Sequence, residues 1–182
     1  TEIATVNNLV AWLHARVRYT GIEFGDAAFI PWTPAETLAR GFGDCKDTAA
    51  LLVAGLRSVG IKADLAVLNT GPGVDVERAA PGMGRFDHAI VRAIVGGKPL
   101  WIDGTEDMLP AGVLPMRDQG RLAMVVSPDA KDLELTPVSG VADTVVHEVR
   151  DYVVGLDGGA NAVETTTETG VMLKVVNGDW KV

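Results

Sequence analysis

Between Thr48 and Val59 the chain is apolar on nearly every face of a helix, with Ala49, Ala50, Leu51, Leu52, Val53, Ala54 and Leu56 leaving little surface for solvent. A helix of that kind is stable only at the centre of a domain, with other elements packed around it. Asp44 can cap its start, Asp47 stands three residues on in a related capping arrangement, and Gly60 suits a left-handed cap at its end. The rest of the chain has to supply the covering layers.

Upstream, Ile3, Val6, Leu9, Val10, Leu13 and Val17 recur at helical spacing and predict an amphipathic helix over 3–18. Residues 19–25 read as loop or short strand. Thr33-Pro34-Ala35-Glu36 predicts a second helix start, with a capping threonine, a proline at the first position and a glutamate able to reach back. That short helix should end at Gly41 or Gly43. Downstream the period changes. Residues 61–69, 88–95 and 98–103 are short runs of Ile, Val, Leu and Ala broken by turns such as Gly96-Gly97. They predict three strands of an antiparallel sheet packed on the central helix, an α+β arrangement, with further strands at 121–127 and 133–137. The polar stretch 70–85 is a loop of a length usually tied to function. Composition shifts near Ser139-Gly140. Residues 143–155 and 161–168 flank Asp157-Gly158-Gly159-Ala160 as a hairpin, and 171–176 would add a strand. The expected organisation is a core over 1–140 and, over 141–182, a β-rich appendage or the start of a following β domain.

Hydrophobic residues make up 47% of the 182 positions, enough to bury a core. A net charge of −8 argues against a nucleic-acid groove or an anionic membrane surface, which need clustered Lys and Arg. No apolar run approaches the roughly 18 residues of a membrane span. The start at Thr1 shows no basic and apolar leader, and a chain running from Thr1 to Val182 reads as excised from a larger multidomain protein. Cys45 is the single cysteine, so an intrachain disulfide and a Cys-rich metal site are excluded. No Asp-x-Asp-x-Asp-Gly loop supports calcium, and no metal or cofactor is expected.

Cys45 opens the central helix behind a glycine-flanked turn. Amides at a helix start point outward and carry partial positive charge, which favours the thiolate, the nucleophilic form. The same free amides, that of Cys45 included, can hold a tetrahedral oxyanion. The rival role is a small buried apolar residue. His88 heads a predicted strand, where a base can face a helix start, although a histidine beside an apolar strand is often structural. Asp103 follows Leu100-Trp101-Ile102. It can accept from imidazole Nδ1–H or simply cap the turn at Gly104-Thr105. Together, one helix start and two adjacent strands can bring Cys45, His88 and Asp103 to one sheet edge. His14, within the first helix, and His147, within the β-rich tail, fit less well.

Gly43-Asp44-Cys45-Lys46-Asp47, continuing through Leu51-Leu52, Leu56-Arg57 and Gly60-Ile61, resembles the cysteine-helix motif of bacterial transglutaminase-like proteins. Phe86-Asp87-His88-Ala89 resembles their histidine motif, and Leu100-Trp101-Ile102-Asp103-Gly104-Thr105 their aspartate motif. The match covers roughly residues 3–127. Tyr19-Thr20-Gly21-Ile22-Glu23 further resembles the subgroup whose core lies between two β domains. The resemblance implies a papain-like α+β core in which Cys45 is nucleophile, His88 general base and acid, and Asp103 orienter of His88. It implies acyl transfer on protein or peptide amides through a thioester, ending in hydrolysis, deamidation or transamidation, and a periplasmic or secreted setting. Gly104 departs from the Pro or Ala often found after the family's aspartate. The side-chain oxyanion donor is open, with Trp32 and Tyr19 as candidates. The alternative is a protein-binding module that keeps the fold without turnover.

Overall fold

Capping chemistry and apolar spacing set where the helices begin and end. In the computed structural model, which describes residues 1–21, 24–73, 75–79 and 82–170, the chain divides into two units, Thr1–Val138 and Ser139–Val182. Helix α1 (Glu2–His14) buries Val6, Val10 and Leu13 along one stripe. It closes four residues before the expected end at 18. Val17 is still buried, but the backbone has turned to pair strand β1 (Arg18–Tyr19) in parallel with β2 (Phe42–Gly43). Two-residue strands carry no period, so β2 left no trace in the sequence pattern. Helix α2 (Pro34–Arg40) has the full capping box: the Glu36 amide donates to Thr33 Oγ1 at 3.3 Å and the Thr33 amide to Glu36 Oε2 at 3.0 Å. Gly41, at φ 70°, ends it.

Helix α3 (Cys45–Ser58) is the central element and buries nine of its residues. One face packs on α1. The other meets a five-stranded antiparallel sheet built from β3 (Ala63–Leu68), β4 (His88–Val95), β5 (Lys98–Ile102), β6 (Leu122–Val125) and β7 (Glu134–Leu135), in the order β5-β4-β3-β6-β7. Ala63, Ala89, Val91 and Ala93 face α3, while Ala66, Leu68, Ile90, Trp101 and Val125 form a second core on the sheet's far side. Burial on both faces explains why these strands read as continuous apolar runs rather than alternating ones. The fold class is α+β, as expected.

Gly96 and Gly97, at φ 58° and 76°, make the tight turn that joins β4 to β5. Its register pairs Val95 with Lys98 and Val91 with Ile102, so the start of β4 and the end of β5 lie at the same end of the sheet. His88 and Asp103 are thereby neighbours. In the second unit, β8 (Val146–Val154) and β9 (Ala160–Glu168) form a hairpin in register from Val146↔Glu168 to Val154↔Ala160. The strand expected at 171–176 lies outside the described residues. Among the described residues no helix is long and apolar enough to cross a membrane.

Candidate active site

The start of α3 is held by two aspartates. Asp44 Oδ1 accepts from the Lys46 amide at 3.0 Å and the Asp47 amide at 3.1 Å, while Asp47 Oδ2 accepts from the Asp44 amide at 3.2 Å. Asp47 Oδ1 also accepts from the Trp32 amide at 2.8 Å, which pins the preceding loop to the helix. The Lys46 ammonium pairs with Asp44 Oδ2. A Cβ on Gly43 would lie 2.7 Å from Asp47 Cβ, so the glycine before the cap is a packing requirement. This arrangement narrows the expectation of several free amides. The capping box takes those of Lys46 and Asp47, and the Asp44 carbonyl takes that of Thr48 at 3.0 Å. The amide of Cys45 itself is not among those the cap takes.

The Cys45 side chain is buried and meets the His88 ring. His88 Nε2 lies 3.1 Å from Asp103 Oδ2. The nitrogen facing Asp103 is therefore Nε2, not the Nδ1 that the sequence reading assigned. The strand register sets His88, at the start of β4, and Asp103, just after β5, at the same end of the sheet. Asp103 also fills its rival role as a turn cap, since Oδ1 accepts from the Thr105 amide at 2.8 Å and the Thr105 hydroxyl at 2.7 Å.

Three charged groups around His88 and Asp103 carry no motif and were not singled out from the sequence. Arg117 Nη2 donates to Asp103 Oδ2 at 3.0 Å and to Glu106 Oε1 at 2.7 Å. Asp118 Oδ2 lies 3.8 Å from His88 Nε2, and Oδ1 lies 3.6 Å from Arg117 Nε. Arg117 and Asp118 come from a 3-10 turn, Met116–Asp118, between the apolar segments. Only the pair of adjacent charges there could have signalled them.

Burial alone would lower the His88 pKa, but the hydrogen bonds with Asp103 and Cys45 and the charges of Asp103 and Asp118 outweigh it and raise it to about 10. Burial pushes Asp103 the opposite way, yet the His88 and Thr105 bonds hold its carboxyl well below the usual range. Asp118 is raised to about 7, by burial first and then by the charge of Asp103. His88, Asp103 and Asp118 place potential ligand atoms within 4.8 Å of one another, a spacing that could hold a cation. The Arg117 guanidinium already supplies a positive charge against both carboxylates, so the residues do not fit a metal.

Cys45 and His88 open onto a cleft of about 510 Å³. Its walls are mainly apolar, with Phe29, Leu65, Val67, Met83, Phe86 and Met124 among them. Met83 brings the 70–85 segment to its rim, and Asp87 Oδ1 ties the ends of that segment by accepting from the Thr70 amide at 2.7 Å. Neither oxyanion candidate lines the cleft. The Trp32 ring lies 4.7 Å from the Arg40 guanidinium, and Tyr19 is half exposed on β1. His14 on α1 has a buried Nε2 without a hydrogen-bond partner among the described residues, and His147 lies on β8 in the second unit.

A family profile described as the transglutaminase-like superfamily matches residues 1–102, ending one residue short of Asp103. No curated protein matches the sequence. Among solved structures, a Parabacteroides distasonis protein provisionally described as a protease aligns with a TM-score of 0.52 and 19% identity, covering 75% of this chain and 25% of that one. A Cytophaga hutchinsonii protein provisionally described as a cysteine protease aligns with a TM-score of 0.46 and 16% identity, covering 97% of this chain and 46% of that one. The first likeness shows a shared fold, and this chain spans a quarter of that structure's length.

Proposed function

The chain belongs to the transglutaminase-like superfamily, and from that premise we propose that it catalyses cysteine-dependent acyl transfer on protein or peptide amides. The observation that carries the reading is the His88 ring, hydrogen-bonded to Asp103 and set beside buried Cys45 at the wall of an open cleft. His88 takes the Cys45 proton, Sγ attacks the carbonyl carbon, and the oxyanion forms against the Cys45 amide. His88 gives its proton to the departing amine, the C–N bond breaks, and a thioester remains. An incoming amine or water then attacks the thioester, His88 takes the attacker's proton, and Cys45 is released. Asp103 orients the ring and stabilises the imidazolium throughout. The apolar walls favour substrates whose reacting amide is flanked by bulky apolar side chains.

The test is mass spectrometry of the protein incubated with a peptide pool and a primary amine. Cross-linked, deamidated or cleaved peptides are expected, together with alkylation of Cys45 by iodoacetamide near neutral pH that slows in His88→Ala. Absence of every acyl product, with Cys45 equally slow in both proteins, would leave the non-catalytic binding module.

A further inference from the structure

Asp118 has no part in the reaction just described, yet it is the most deeply enclosed carboxylate of the cluster. Its side chain is fully buried, and both carboxylate oxygens lack a conventional hydrogen-bond partner among the described residues. Burying an unpaired carboxylate is costly unless it is neutralised or balanced. The charged groups that face it among the described residues are His88 from β4, Asp103 from the segment after β5, and Arg117 beside it, whose Nη2 also donates to Glu106 Oε1. Arg121, from the turn before β6, lies against the same turn: its Nε donates to the Arg117 carbonyl at 3.1 Å and its Nη2 to the Gly71 carbonyl at 3.1 Å. Asp103 already holds the hydrogen bonds with the His88 ring and the Arg117 guanidinium. An ionised Asp118 would be a second buried negative charge beside it with no hydrogen bond of its own among the described residues. A proton on Asp118 removes that repulsion.

We propose that Asp118 is a positioning residue that carries the balancing proton of the cluster beneath His88, so that its ionisation sets how tightly the imidazolium holds its own proton. The inference rests on the acyl-transfer reading for its consequence, although the protonation it describes can be observed without turnover. When Asp118 is neutral, His88 faces one ionised partner, Asp103, and releases its proton to a leaving amine more readily. When Asp118 ionises, a second negative charge stands 3.8 Å from Nε2 and holds the imidazolium more firmly. The raised acidity constant of Asp118, about 7, places that change within the working range of most proteins.

The experiment is a pH titration of the His88 ring by NMR on the whole chain with isotope-labelled histidine, run beside the pH profile of Cys45 alkylation. In the wild type the His88 signals should show an inflection near pH 7, from Asp118, before the ring itself titrates at higher pH. Asp118→Asn mimics the protonated form at every pH. It should abolish the first inflection and move the ring's own titration down by about one pH unit or more. The alkylation profile should lose the same feature. A residue that only fills space would leave both curves unmoved. If the wild-type His88 signals show no step near pH 7, the proposal is overturned whether or not Asp118→Asn folds. If the step is present but no amide is ever processed, the acyl-transfer reading fails and the proposal stands. If amides are processed and the step is missing, only the proposal fails.

Discussion

Asp103 does two jobs with its two oxygens, and a single substitution separates them. Asn at 103 keeps an oxygen for the Thr105 amide and hydroxyl, so the turn and the packing beside Trp101 should survive. What it removes is the charge that steadies the His88 imidazolium. In serine-protease triads the equivalent change costs about 10⁴ in turnover, whereas a thiol ionises more readily and needs less help, so a loss on the order of 10–10³ is expected. Melting temperatures measured beside the acyl-transfer rate should fall only in part, through the lost His88 and Arg117 bonds to Oδ2, and the loss of rate should exceed the unfolded fraction. Full activity in Asp103→Asn, or a loss matching the unfolded fraction, would reduce the triad to a Cys45–His88 dyad with Asp103 as a turn cap. A second expectation concerns pH and stability. The His88 pKa rises from 6.5 to about 10 on folding, so the native state binds the extra proton. Its contribution is therefore complete below about pH 6.5 and disappears as pH climbs through 10. Asp118, raised to about 7, acts in the same direction from lower pH. Urea denaturation at pH 6 and pH 9 should show a loss of stability that His88→Gln visibly flattens. Cys45, His88 and Asp103 were legible because each sits beside a turn or strand signal strong enough to place it. Asp118 was not, because its importance comes from burial among other charges, and burial of a charged residue leaves no local pattern.

The start of α3 shows how far an element's sequence can be trusted. Its cap, its apolar body and its terminating glycine were all readable, since each is a local device. The consequences of the cap were less visible. Asp44 and Asp47 consume the amides that a bare helix start would offer, and Asp47 reaches a loop fifteen residues upstream through the Trp32 amide. That long contact also explains why the Trp32 indole was a poor guide: the residue is fixed by its backbone while its ring lies against Arg40. Gly43→Ala tests the device. The added methyl would collide with Asp47 Cβ and approach Thr37 Cγ2 at 3.1 Å, both inside the packed corner. A destabilisation of about 1–3 kcal/mol is expected by chemical denaturation, with slower alkylation of Cys45 as the cap shifts. In the body of the helix, fully buried Leu56 offers a comparison of pure packing. Leu56→Ala should cost about 2–5 kcal/mol, with little effect on the alkylation rate of the protein that remains folded.

At the scale of the molecule, the question is how much chain the site needs. The composition shift at Ser139-Gly140 coincides with the boundary between the two units. Thr136 Oγ1 donates to the Asp118 carbonyl at 2.6 Å and accepts from the Arg121 amide at 2.8 Å. The residue that closes the sheet edge thus also fixes the turn carrying Arg117 and Asp118. Beyond it, all nine residues of β8 are exposed, and a lone two-stranded hairpin supplies little stability of its own. Truncation after Val138 should therefore leave a single cooperative transition and an unchanged rate of Cys45 alkylation. Truncation after Leu133 removes β7 and Thr136 together and should lose much of both, because the Asp118 turn is then untethered. Circular dichroism melts and labelling rates of the two fragments decide the matter. If the longer fragment unfolds without cooperativity, residues 139–182 are integral to the core. If the shorter one behaves like the longer, Thr136 is not what holds the charged cluster against His88.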